Sequence, residues 1–163
     1  MQGIFRFKVV IIMRLVILNP WFYYAIQIYL MQEWRKFMLE ELIKAINAGD
    51  NNKAKELISK MTVEQLSIKS SYDKMPLHVA ASKNNMEVIN LLLSRKIDIN
   101  APDTSNSYTA LNTAMAHQQH EATKLLIIKG ANVELKNYSG NTPIMDAANK
   151  EIAEMLIFAG ADI

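Results

Sequence analysis

No cysteine occurs among the 163 residues, so neither a disulfide nor a thiolate metal site can hold this chain together, and a reducing intracellular compartment is the expected setting for its folded part. Glycine is sparse as well. The five glycines are scattered singly, which leaves no loop able to cradle a phosphate. Of the three histidines, His117 and His120 stand near one helix end beside Glu121, a set that could offer a metal two or three ligands but reads more simply as a solvated turn. Serines and carboxylates have no histidine at a nucleophile's spacing. The chain is therefore read as a non-enzyme without cofactor or metal. Charge of one sign is also missing: the net charge is +2, and Arg6, Lys8 and Arg14 are the only charged side chains before Glu33. No basic stripe of the kind a phosphate backbone requires is present, which removes nucleic acid from the expected partners.

What is present is apolar and periodic. Hydrophobic residues make up 50% of the chain, enough for one domain with a sizeable core. Met75-Pro76-Leu77-His78-Val79-Ala80-Ala81, Thr109-Ala110-Leu111-Asn112-Thr113-Ala114 and Thr142-Pro143-Ile144-Met145-Asp146-Ala147-Ala148 align with one another, at an interval of about 33 residues. Each is followed by a second apolar run, over residues 87–93, 121–126 and 151–157, and by a polar exit such as Asp98-Ile99-Asn100 or Asn132-Val133-Glu134. Thr is a good N-cap, Pro suits the first helical turn, and paired alanines allow close helix packing. In the second run Val88, Leu91 and Leu92 form one buried stripe, and Gly130 or Gly160 ends the helix in a left-handed cap. Met86, Met115, Met145 and Met155 fall in these helices and are expected to fill core gaps. A fainter unit, Glu41–Asp50 followed by Ala54–Ile58, precedes the first clear one. It is rich in Lys and Glu, as a terminal cap with a wetted outer face would be.

The pattern resembles the ankyrin repeat, with its Thr-Pro-Leu-His-x-Ala start. The resemblance implies an all-α repeat solenoid of helix-turn-helix pairs joined by β-hairpin loops, preceded by a hydrophobic N-terminal segment. The expected divisions are residues 1–32 for that segment, 33–72 for a capping repeat, and 73–102, 103–135 and 136–163 for three repeats. No repeat keeps both the Thr and the His that are hydrogen-bonded in the family: Met75 stands with His78, Thr109 with Asn112, Thr142 with Met145. The third repeat is three residues short before Glu151, so a tighter turn between its helices is expected, and the second finger gains a residue within 101–107.

Residues 15–32 carry no charge and follow three basic residues. At about 18 residues they reach the lower limit of a transmembrane helix. Three readings stay open: a membrane anchor, an export signal, or a reading frame set upstream of a true start at Met31 or Met38.

The family's partners meet the fingertips and inner helices. By resemblance, the partner-binding positions are Tyr72 and Lys74 on the first finger, Asn106 and Tyr108 on the second, and Tyr138 and Asn141 on the third. Thr113 and Asp146 represent the inner helices. One tyrosine per finger suits an interface, because tyrosine offers large area for little lost rotamer freedom. The implied function is that of a monomeric scaffold binding another protein. A bacterial protein acting on host proteins and a membrane-anchored adaptor are both compatible with the resemblance.

Overall fold

The computed structural model describes residues 20–70, 74–103 and 106–162, with side chains from Tyr24 onward. The helices are α1 Pro20–Ala48, α2 Asn51–Lys60, α3 Val63–Leu66, α4 Pro76–Ser82, α5 Met86–Ser94, α6 Ala110–Ala116, α7 His120–Ile128 and α8 Lys150–Phe158. The chain divides into two compact units, Met1–Phe37 and Met38–Ile163. Of the first, the described part is the N-terminal stretch of α1, where Tyr24, Ile28, Tyr29, Met31, Trp34 and Phe37 are exposed. Among the described residues no helix is long and apolar enough to cross a membrane. Of the segment 15–32 considered as a membrane anchor, residues 15–19 lie outside the described residues, and from Pro20 on α1 carries Gln27 and Gln32 and then Glu33, Arg35 and Lys36.

The second unit is the repeat body. Its core begins at Met38, and Leu42 and Ile46 of α1, Ile58 of α2, Ile89 and Leu92 of α5, Leu111 of α6, Leu126 of α7 and Ile152 and Leu156 of α8 are fully buried. Local chemistry starts most of these helices. Asp50, Asn85 and Asn149 each accept a backbone N–H from the third residue of the helix they open, at 2.9, 3.1 and 2.9 Å, satisfying a donor that the helix itself cannot. Gln119 caps nothing. Its helix α7 is capped instead from the preceding repeat, where the Asn84 side chain accepts the Ala122 N–H at 2.8 Å. Asn84 and Gln118 occupy equivalent turns with φ of 54° and 55°. After the outer helices, Gly130 and Gly160 take φ of 86° and 95°, and Lys96 takes 61° at the matching position; a glycine enters that region without the Cβ penalty that Lys96 bears.

Three expectations need correction. The loops between repeats hold no strand among the described residues; single bonds such as Asp103 N–H to Tyr108 O, 2.8 Å, and Asn137 N–H to Asn141 O, 3.0 Å, close each finger without building a ladder. The third repeat does not tighten its turn but gives up its inner helix. Residues 143–146 form successive turns, with Met145, Asp146 and Ala147 each donating to the carbonyl three residues back. With three residues missing, the chain reaches α8 through extended backbone at Asn149, φ −149° and ψ 164°. Met145, unwound with that helix, is exposed, as is Met86, while Met115 is buried and Met155 packs against the core.

The Thr and His pairing is divided among the repeats. In the second, Asn112 Oδ1 accepts both the Thr109 N–H at 3.1 Å and the Thr109 hydroxyl at 2.8 Å, a complete capping box. In the first, His78 Nε2 donates to the Tyr108 carbonyl at 2.9 Å, but Met75 supplies no cap and His78 Nδ1 is buried without a partner. Burial, the largest cause, holds the His78 pKa below its ordinary 6.5, against the pull of the Tyr108 carbonyl and Asp103. The folded state thus binds this proton less readily than the unfolded chain, and stability is lost as pH falls below the ordinary value. Met75→Thr should raise stability by about 1 kcal/mol, since a threonine hydroxyl would accept the His78 backbone N–H and donate to Nδ1. Met75 is buried, so the packing its side chain gives up works against this gain. The denaturant midpoint checks this: a fall would mean that the methionine side chain matters more than the cap.

Candidate functional site

The fingers lie on the connections before the inner helices, and the second and third are organised by their own polar side chains. In the second finger Asp103 Oδ1 accepts the N–H groups of Asn106 and Tyr108, at 3.1 and 2.9 Å, and Ser107 takes φ of 56°. In the third, Asn137 Oδ1 accepts the N–H groups of Ser139 and Asn141, at 2.9 and 3.1 Å. The two Asp146 carboxylate oxygens then accept the side-chain amides of Asn137 and Asn141, both at 2.8 Å. A further bond, Tyr138 N–H to Asn106 O at 3.0 Å, ties this finger to the one before it.

This geometry sorts the expected contact residues. Tyr72 lies outside the described residues. Lys74 and Asn106 are exposed, Tyr108 and Asn141 are half-buried, and Tyr138, at 70% exposure, is the more open of the two described finger tyrosines. Asp146 is exposed but engaged on both oxygens, so its evident role is to hold the finger. Thr113 must be set aside: it is buried, and its hydroxyl donates to the Thr109 carbonyl at 3.0 Å, so it has no group free for a partner. Asp103 was missed by sequence reasoning, although an aspartate that accepts backbone N–H groups within a short polar loop is a recognisable turn former.

A second polar row runs beside the fingers. Asn100 Oδ1 accepts the Asn132 N–H at 2.8 Å, and Glu134 Oε1 accepts the Asp162 N–H at 2.9 Å. Each link joins one repeat to the next and fixes the spacing of the fingers.

One shifted group reaches the fingers, the buried His78 through the Tyr108 carbonyl; three others are carboxylates elsewhere. Glu56 is lowered to about 2 by hydrogen bonds and charge from Lys60 and Lys53; Glu64 is lowered by the Thr62 hydroxyl, and Glu87 by Lys55 with help from Asn51. All three are exposed carboxylates, shifted by neighbouring side chains rather than tuned in a cleft. Among the described residues no three His, Cys, Asp or Glu side chains are placed to share a metal, the His117 and His120 set included. The surface can offer area and hydrogen bonds.

Comparison with known proteins agrees with this architecture. A family model described as ankyrin repeats (many copies) matches residues 77–127, and an ankyrin repeat model matches residues 139–163. The B-cell lymphoma 3 protein homolog of Mus musculus is 33% identical over 89 residues, which is 53% of this chain and 20% of that protein. The nuclear factor NF-kappa-B p105 subunit of Gallus gallus is 30% identical over 90 residues, 53% of this chain and 9% of that one. Ankyrin repeat domain-containing protein 17 of Mus musculus is 42% identical over 69 residues, 42% of this chain and 3% of that one. The chain thus spans only a small part of the length of these relatives.

Proposed function

Because the chain belongs to the ankyrin-repeat family, we propose that it acts as a monomeric scaffold that binds another protein along its fingers, by contact and without catalysis. Tyr138 is the main anchor, with Lys74, Asn106, Tyr108 and Asn141 around it. The observation that carries this reading is the union of exposure and order at Tyr138. Its ring is open to solvent, while its finger is clamped by Asp146 and tied to Asn106. A rigid aromatic gives contact area without a large ordering cost on binding. The alternative of a membrane-spanning adaptor has no helix to support it among the described residues.

The test begins with affinity capture on the full chain and identification of the retained protein. Tyr138→Ala should then weaken binding about tenfold or more, the scale of an aromatic hot spot, with an unchanged thermal melt. Equal affinity for the variant would remove the fingers from the account.

A further inference from the structure

Of the three histidines, His78 alone is buried, and its ring links the first repeat to the fingers. A carbonyl can only accept, so the 2.9 Å bond between Nε2 and the Tyr108 oxygen places the neutral ring's proton on Nε2 and leaves a lone pair on Nδ1. That second nitrogen is buried without a partner. The Tyr108 oxygen also accepts the Asp103 N–H at 2.8 Å, and Asp103 Oδ1 in turn accepts the N–H groups of Asn106 and Tyr108. The third finger hangs on the second, since the Asn106 carbonyl accepts the Tyr138 N–H at 3.0 Å. A line of hydrogen bonds thus runs from a buried imidazole to the backbone of Tyr138.

We propose that His78 is a proton-sensitive seat for the second and third fingers, which hold their places while the ring is neutral and come loose when it takes up a proton. The consequence, release of the partner in acid, rests on the reading of the fingers as the contact surface. A second proton would put an N–H on Nδ1 where no acceptor stands, and the charged ring would lie in a site closed to water; both are costly. Swinging toward solvent relieves both costs, but Nε2 then gives up the Tyr108 carbonyl. Burial outweighs the charges that face the ring: Asp103, from the second finger, favours the proton, while Lys69 and Lys74, from the loop before α4, oppose it. α4 packs against α5, α6 and α7. Of these, α6 holds no titratable side chain, α5 holds Glu87, and α7 holds His120, Glu121 and Lys124, none of which acts on His78. The seated ring takes its proton below the ordinary 6.5 and a released ring near it. The seated state is therefore favoured above that pH, and below it loses ground by up to about tenfold per pH unit.

Amide hydrogen exchange on the full chain tests this without a partner, so the seat and the contact surface can fail separately. Protection is read at the Asn106, Tyr108 and Tyr138 amides between about pH 7.5 and about pH 5.5, where a histidine changes charge. In the parent chain it should fall by up to about tenfold per pH unit. The side-chain amide of His78→Gln can donate to the Tyr108 carbonyl in place of Nε2 but takes up no proton in this range, so the variant should hold its protection. Equal loss in parent and variant would overturn the proposal and assign the loss to another group, such as Asp103, His117 or His120. Finger amides that stay protected while the buried amides of α5 and α7 lose theirs would overturn it as well, because the proton would then enter on global unfolding alone. Should His78→Gln fail to fold, the imidazole resonances of the unaltered chain decide. His78 should titrate below the ordinary 6.5, with finger protection falling on the way down; a midpoint at or above that value, or fingers that stay protected, would overturn the proposal.

Discussion

Leu126→Ala is expected to lower the stability of the repeat body by about 2 to 5 kcal/mol, the range for removing a fully buried leucine side chain. Leu126 is sealed from solvent in the middle of α7, and that helix packs against α5, α6 and α8. In a stacked array each repeat is held mainly by its neighbours, so a cavity here weakens the contacts on both sides. Its sequence neighbour supplies the control. Leu125 is only partly buried, and Leu125→Ala should cost distinctly less. Equilibrium denaturation of the two variants separates these outcomes. If Leu125→Ala proved the more damaging, α7 would have to be rotated by about 100°, one residue's worth of helical turn.

Thr109→Val should cost about 2 kcal/mol although the shape is kept, because the hydroxyl both accepts the Asn112 N–H and donates to Asn112 Oδ1. Removing it deletes the N-cap of α6 and leaves Asn112 poorer in partners where neither residue meets water. The Asn112 Nδ2 group is already buried without a partner; asparagine holds the cap as the family's histidine would but is too short to reach the next repeat as His78 does. Set beside Met75→Thr, the same chemical group is removed in one repeat and restored in another, and the two changes should move the denaturation midpoint in opposite directions. Equal melting of Thr109→Val and the parent chain would show that the capping box contributes nothing measurable.

The repeat period, the Thr109 cap, the glycine stops and the core stripe were legible in the sequence because they follow local rules: Thr109 precedes an apolar run, and Gly130 and Gly160 follow such runs. Less legible were features that depend on what lies one repeat away. Gln119 looks like an unremarkable turn residue until Asn84 is seen to cap its helix. A deletion of three residues can be absorbed by a turn or by a helix, and sequence spacing alone favours the turn; in the structure α8 keeps its place on the core while the weaker inner helix dissolves. Thr113 stands at a position that faces partners in the family, yet a threonine inside a helix can satisfy its hydroxyl on the carbonyl four residues back and so be buried. For the fingers, the exposed Tyr138 could be named from sequence. The role of Asp146 as the clamp of that finger could not, because it arises from contacts across an irregular turn.

If the finger edge carries the protein's binding function, hydrogen exchange on the full chain with and without its captured partner should show added protection at residues 106–108 and 137–141, with the outer helices α2 and α5 unchanged. Protection confined to α2 and α5, with the fingers exchanging as in the free chain, would contradict it.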